Sequence, residues 1–168
     1  MRSLFLLAWV LASGVFLGAG AALGADEGNS ANSNNPLIID LISEATTINT
    51  FLDLGAPGPS PGDTYTFSDK IFRENNPDDQ VGEADGHCTL INPAVRRFMC
   101  TITTSLPDGD ITTEGVLIFV PNTTSVGAVT GGTGAYWNAR GEAKLILGPV
   151  VGIPGARHSV IFSLILRP

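Results

Sequence analysis

Asp63-Thr-Tyr-Thr-Phe-Ser-Asp-Lys-Ile-Phe72 alternates large apolar side chains with small polar ones, the period of a strand with one wet face. Tyr65, Phe67, Asp69 and Ile71 share one side, and Thr64, Thr66, Ser68 and Lys70 share the other. The aromatic side is the one a sheet must bury. Asp69 therefore points where a closed sheet has its interior, and a carboxylate there must be paired, hydrogen-bonded or protonated. Two uses fit it equally: a carboxylate tied to backbone amides or an arginine near a barrel mouth, or an acid or base in an apolar pocket.

The rest of the chain repeats this pattern. Short runs rich in Thr, Val, Ile and Phe are separated by Gly and Pro, with very little helix signal. Strands are expected at 37–51, 63–73, 81–91, 96–106, 111–120, 125–130, 142–148 and 157–167. Such a series with tight turns predicts an all-β fold, an eight-stranded antiparallel up-and-down β-barrel, which leaves no sheet edge exposed. Pro107-Asp108-Gly109-Asp110 is one turn, with Gly109 supplying a positive φ. Another reverses near Asn92-Pro93-Ala94. Centred on Ala94, it sets Leu90 opposite Phe98 and Cys88 opposite Cys100. Opposed Cβ atoms lie about 4.5–5.5 Å apart, so a Cys88–Cys100 disulfide is favoured over two buried thiols.

The N-terminus sets the compartment. Arg2 precedes an uncharged apolar run from Leu4 to Leu23, and Ala22-Leu23-Gly24 offers small residues at a cleavage site. Residues 1–24 are expected to be a signal peptide, 25–35 (ending DEGNSANSNN) a disordered leader, and 36–168 the barrel domain. The expected location is secreted and extracellular, meaning apoplast, periplasm or cell surface according to source. Loss of Arg2 takes the formal charge from −7 to −8, and the basic residues form no run, which excludes a nucleic-acid partner.

Other chemistries find little support. There is no G-x-S-x-G, so no hydrolase elbow. Thr130-Gly-Gly-Thr-Gly134 lacks the Lys-Ser/Thr of a phosphate loop, and its glycines suit a sharp reversal. His87 and His158 are unpaired in sequence, so no metal site is expected. The acidic stretch from Glu74 to Asp79 reads as a solvated loop. In the first strand Ile38, Asp40, Ile42 and Glu44 share a face, which makes Glu44 a second interior acid if that face turns inward, and a surface residue if it does not.

Three segments carry a resemblance. Gly62-Asp-Thr-Tyr-Thr-Phe-Ser-Asp-Lys-Ile-Phe72, Gly86-His-Cys-Thr-Leu-Ile91 and Ala128-Val-Thr-Gly-Gly-Thr-Gly134 resemble allene oxide cyclases in order and spacing. Gly131-Gly-Thr-Gly-Ala-Tyr-Trp-Asn-Ala-Arg-Gly-Glu-Ala143 and Val81-Gly-Glu-Ala-Asp-Gly86 are more similar to plant dirigent proteins, which share that fold. The resemblance implies a barrel with a central apolar cavity, often trimeric, using neither metal nor organic cofactor. Cyclases of the family close a fatty-acid epoxide into a cyclopentenone; dirigent proteins orient two phenoxy radicals made by a separate oxidase.

By the resemblance, Asp69 matches a polar residue of both families, Cys88 a cyclase cysteine, Glu44 a first-strand glutamate, and Arg140 and Tyr136 a dirigent arginine and aromatic. The expected catalytic residues are thus Asp69, Arg140 and Glu44, with Tyr65, Phe67, Phe119 and Tyr136 lining the ligand. Departures are visible too: Val116-Leu-Ile-Phe-Val120 lacks the tyrosine that cyclases carry there, and the dirigent D-D-P-L-T is absent. Three functions stay open. The first is a secreted dirigent-like barrel guiding the stereoselective coupling or cyclisation of an apolar or phenolic small molecule, as a dimer or trimer, with an oxidase as possible partner. The second is a cyclase-type isomerase. The third is a non-catalytic ligand-binding or structural barrel, which predicts a filled interior or one without polar groups.

Overall fold

The computed structural model describes residues 35–166. The expected signal peptide, and all but the last residue of the expected leader, fall outside that range. Nine strands follow in sequence: β1 (Leu37–Glu44), β2 (Thr50–Leu52), β3 (Thr64–Arg73), β4 (Asn76–Asn92), β5 (Arg97–Leu106), β6 (Gly109–Ile118), β7 (Thr124–Gly132), β8 (Arg140–Ile146) and β9 (Arg157–Ile165). From β3 to β9 each strand pairs antiparallel with the next, and β1 closes the circuit by pairing with both β9 and β3. β1 and β3–β9 form a closed eight-stranded barrel, and β2 pairs with β3 alone.

The expected first strand, 37–51, is interrupted. β1 pairs with residues 70–73 of β3 and β2 with residues 64–66, so the two run along one edge of β3 with a gap between them. Side chains fill the gap. Thr46 Oγ1 donates to the Ser68 carbonyl (2.6 Å), and Asn49 Oδ1 accepts from the Ser68 amide (3.3 Å). These side-chain bonds satisfy backbone groups that a continuous ladder would have paired. The acidic stretch is exposed throughout, but only Glu74-Asn75 forms a turn: Asn76–Asp79 opens β4, and Arg73 at the end of β3 lies 3.5 Å from Asp79.

The hairpin register is as the turn predicts: Leu90 faces Phe98, Cys88 faces Cys100, and the two sulfurs are bonded. A short 3₁₀ turn at Pro93–Val95 makes the reversal, capped by Asn92. Gly109 has a φ of +142° where β6 begins. Glycines at the end of β7 and just beyond it let the chain reverse toward β8, and Gly134, at a φ of +57°, sits so close to the Asp108 carbonyl that no Cβ would fit.

Alternation decides what fills the barrel. At one end Ile111, Val129, Phe162, Leu164 and Ala139 are packed solid, joined by Tyr136 from the short 3₁₀ turn after β7. Toward the other end, the mouth, the disulfide packs with Leu90, Phe98 and Leu117, against the partly buried Tyr65, Phe67 and Phe119. The disulfide lies on the inner face, since Tyr65 opposes Cys88 across β3 and β4.

Candidate functional site

Between the packed end and the mouth lies a cavity of ≈ 80 Å³, continuous in its lining with an outer pocket of ≈ 450 Å³ through Tyr65, Phe119, Val151 and Gly152. Small residues leave this space: Ala45, Ala84, Gly127 and Ala143 line it where bulkier ones would close it. One wall depends on Gly86. It opposes Phe67 across the ladder, and the Phe67 ring lies so close that any Cβ at position 86 would overlap it. Tyr65 stacks beside Phe67 with centroids 5.7 Å apart, and Phe119 meets Tyr65 edge to face at 5.5 Å.

The polar groups gather at one place on this wall. Asp69 is 7% exposed. Its Oδ2 accepts from Ser43 Oγ (2.8 Å) and its Oδ1 from Asn49 Nδ2 (3.1 Å), so both carboxylate oxygens are acceptors and neither backbone amide nor arginine is involved. Among the described residues lining the cavity there is no Lys or Arg; Arg96 borders only the outer pocket. Asp69 is a buried carboxylate without a counter-ion in its cavity.

Two titratable neighbours line the cavity with it. Burial, and then the charge of Asp69, pushes the Tyr65 phenol above its usual value of 10.0, against a smaller opposing effect of the Asn49 hydrogen bond. Tyr65 therefore keeps its proton at neutral pH. Burial holds the His158 imidazole below its usual 6.5, outweighing the upward pull of Asp69 and of the Arg157 backbone. The Gly148 amide donates to His158 Nδ1 (3.1 Å), so the proton of the neutral ring resides on Nε2. The site brings together a carboxyl group held by two neutral donors, a phenol and an imidazole whose neutral form burial favours.

Of the residues expected from sequence, Asp69, Tyr65, Phe67 and Phe119 are brought together here. Arg140, Tyr136 and Glu44 are not. Arg140 is exposed and spends its guanidinium on the adjacent Ala139 carbonyl (2.7 Å). Tyr136 belongs to the packed end, where it borders an open groove near Arg73 and Asp108; burial chiefly raises its phenol. Glu44 turns outward because the inward face of β1 is Leu41 and Ser43. It pairs with Arg157 at 2.6 Å on the barrel exterior, and Arg157 in turn covers the Phe72 ring. Sequence reasoning missed Ser43, Asn49 and His158. The alternation that places Tyr65 could have flagged His158, which stands four residues before the core residue Phe162 on one strand face.

The closed antiparallel barrel and its polar-ended cavity define a small-molecule-sized site inside an all-β shell. The family described as allene oxide cyclase barrel like domain matches residues 43–148, and the chain belongs to that family. A search of curated protein sequences found no match. Among solved structures, a pyocyanin demethylase aligns at 27% identity and TM-score 0.62, over 76% of this chain and 99% of that one. The pterocarpan synthase dirigent protein PsPTS1 aligns at 18% identity and TM-score 0.60, over 78% and 94%. AbnU, an exo-specific intermolecular Diels–Alderase, aligns at 17% identity and TM-score 0.60, over 77% and 96%. At those identities the last two show a common fold.

Proposed function

We propose that the chain is a secreted barrel that binds a flat, apolar or phenolic small molecule at its mouth and guides its cyclisation, coupling or a related conversion. The observation that carries this is Asp69, a carboxylate held by Ser43 and Asn49 alone on the wall of a cavity shared with Tyr65 and His158. A purely structural barrel expects a filled interior or one free of polar groups, and this cavity is neither.

The chemistry is orientation with proton transfer. Aromatic and aliphatic walls hold one conformer of the ligand, which removes much of the entropic part of a barrier. Asp69 accepts a proton from the bound molecule while Tyr65 donates one to an oxygen that gains negative charge, leaving the net proton count unchanged. The neutral His158 offers Nε2–H as a second donor. Arg140 and Glu44, off the cavity, have no part in this step. Likeness to a pyocyanin demethylase, a dirigent protein and a Diels–Alderase supports a barrel that works by positioning. The disulfide suits an oxidising compartment and supports secretion. Assembly as a dimer or trimer belongs to the same reading.

The test is product analysis by chiral chromatography and mass spectrometry, with pyocyanin, a conjugated epoxide and a radical-coupling phenol as substrates, each with and without an added oxidase. Turnover without oxidase that Asp69→Asn abolishes supports acid–base action by the barrel itself. Stereoselective coupling only when oxidase is present supports the dirigent mode. Racemic or absent product under every condition contradicts the proposal.

A further inference from the structure

The make-up of the cavity bears on the charge of the ligand. Burying a carboxylate without a counter-ion is costly, and proteins normally offset that with an arginine, a lysine or a metal. Here Ser43 and Asn49 donate one hydrogen bond each, but they are neutral. His158 contributes no positive charge, since its Nδ1 already accepts the Gly148 amide and burial favours the neutral ring. Asp69 lines the same space as Tyr65 and His158 and, second to burial, acts on both of them. The cavity is thus a field of one sign in a low-dielectric enclosure, where a single charge acts more strongly than in water.

The walls add an independent preference. Tyr65, Phe67 and Phe119 turn aromatic surface toward the same space. Aromatic faces carry negative quadrupolar density and attract cations, most of all those whose charge is spread over a flat ring. A compact hydrated ammonium would lose its water for little contact. A delocalised cation on a planar framework loses less and fills an apolar slot. An anionic ligand would face Asp69 with no partner in the inner cavity; Arg96 is available only to a substituent left in the outer pocket.

We propose that the inner cavity, together with the outer pocket it adjoins, selects planar aromatic molecules carrying a delocalised positive charge, such as N-alkylated heteroaromatic rings, over their neutral and anionic counterparts. This rests on the assignment of the mouth cavity as the ligand site. Asp69 then has a double part: it supplies the missing counter-charge to the bound ring and remains the nearest acceptor for a proton made acidic by that ring's positive charge.

Three probes of one shape test this: N-methylacridinium, acridine and acridine-9-carboxylate, titrated by fluorescence into the intact protein at mildly alkaline pH, where acridine is uncharged. The cation is expected to bind at least about tenfold tighter than acridine, and the carboxylate more weakly than either. Asp69→Asn should bring cation and neutral probe to similar affinity, whereas Asp85→Asn, which removes an exposed acid on the outside of β4, should leave the ratio unchanged. Phe119→Leu, independent of any effect of Asp69 on folding, should weaken the cation more than acridine. Equal affinity of cation and acridine in the wild type, or a preference that survives Asp69→Asn, overturns the charge selection while leaving the ligand site intact. Failure of all three probes to bind overturns the site assignment as well.

Discussion

The two ends of the barrel interior are built from the same strands by the same alternation, yet they have opposite contents. At the packed end Ile111 and Leu164 are 0% exposed and Phe162 1%. In the cavity that opens toward the mouth, below the cluster around the disulfide, the inward positions are Ser43, Tyr65, Asp69 and His158, spaced by Ala and Gly. The first arrangement maximises burial of apolar surface, at about 25 cal/mol per Å². The second forgoes part of that burial and retains a buried carboxylate. One end of the barrel stabilises the shell, and the other uses that stability.

That contrast can be broken from either side. Phe162→Ala leaves a hole in a packed layer and should cost about 3–5 kcal/mol in denaturant unfolding, with the product pattern of surviving folded protein unchanged. Cys100→Ser, which opens the link between β4 and β5, should cost about 3 kcal/mol by loop entropy and lower the melting temperature of the oxidised protein. Two titratable thiols in native wild-type protein would contradict it. Asp69→Asn should do the reverse of Phe162→Ala: conversion falls by at least about a hundredfold while melting moves little.

Acid sharpens the comparison through two groups. The Asp63 carboxylate, covered at the base of the loop before β3, accepts from the amides of Ser60 (2.6 Å) and Leu54 (3.0 Å) and titrates below its usual 3.8. Its folded value is depressed, so its stabilisation is complete above about pH 4 and is lost as pH falls through the folded value. For His158 the depression works on a base. The unfolded chain takes up the proton first, so stability declines as pH falls below about 6.5 toward the folded value. Asp63→Asn should flatten the steepest acid part of a melting-temperature profile, and His158→Gln the shallower part at higher pH. Last comes Glu44→Gln, which removes a partly exposed ion pair on the barrel exterior. It should change stability by less than about 1 kcal/mol and conversion not at all.

Much of this was legible in the sequence for a physical reason. Strand alternation is strict, so the side of β3 that carries Tyr65, Phe67 and Asp69 could be named, and a tight turn fixes the register of β4 on β5, so Cys88 could be set opposite Cys100. Glu44 shows where that logic weakens. β1 has isoleucines on both faces, and only pairing with β9 and β3 decides that Leu41 and Ser43 go inward. The partners of Asp69 were hidden for a further reason. Asn49 reaches it because the edge along β3 breaks, and that break depends on side chains of Thr46 and Asn49 replacing backbone bonds at Ser68. Arg140 and Tyr136 were assigned by resemblance alone, and resemblance does not say which end of a barrel a residue occupies.

The central claim is that ligand binds at the mouth and not at the packed end. Amide chemical-shift mapping by NMR, on titration of isotope-labelled protein with N-methylacridinium or acridine, tests it most directly. The account predicts perturbations centred on Tyr65, Phe67, Phe119, Leu145 and His158, with Ile111, Val129 and Leu164 unmoved. Perturbations centred on the packed end, or spread evenly over the barrel exterior, would contradict it.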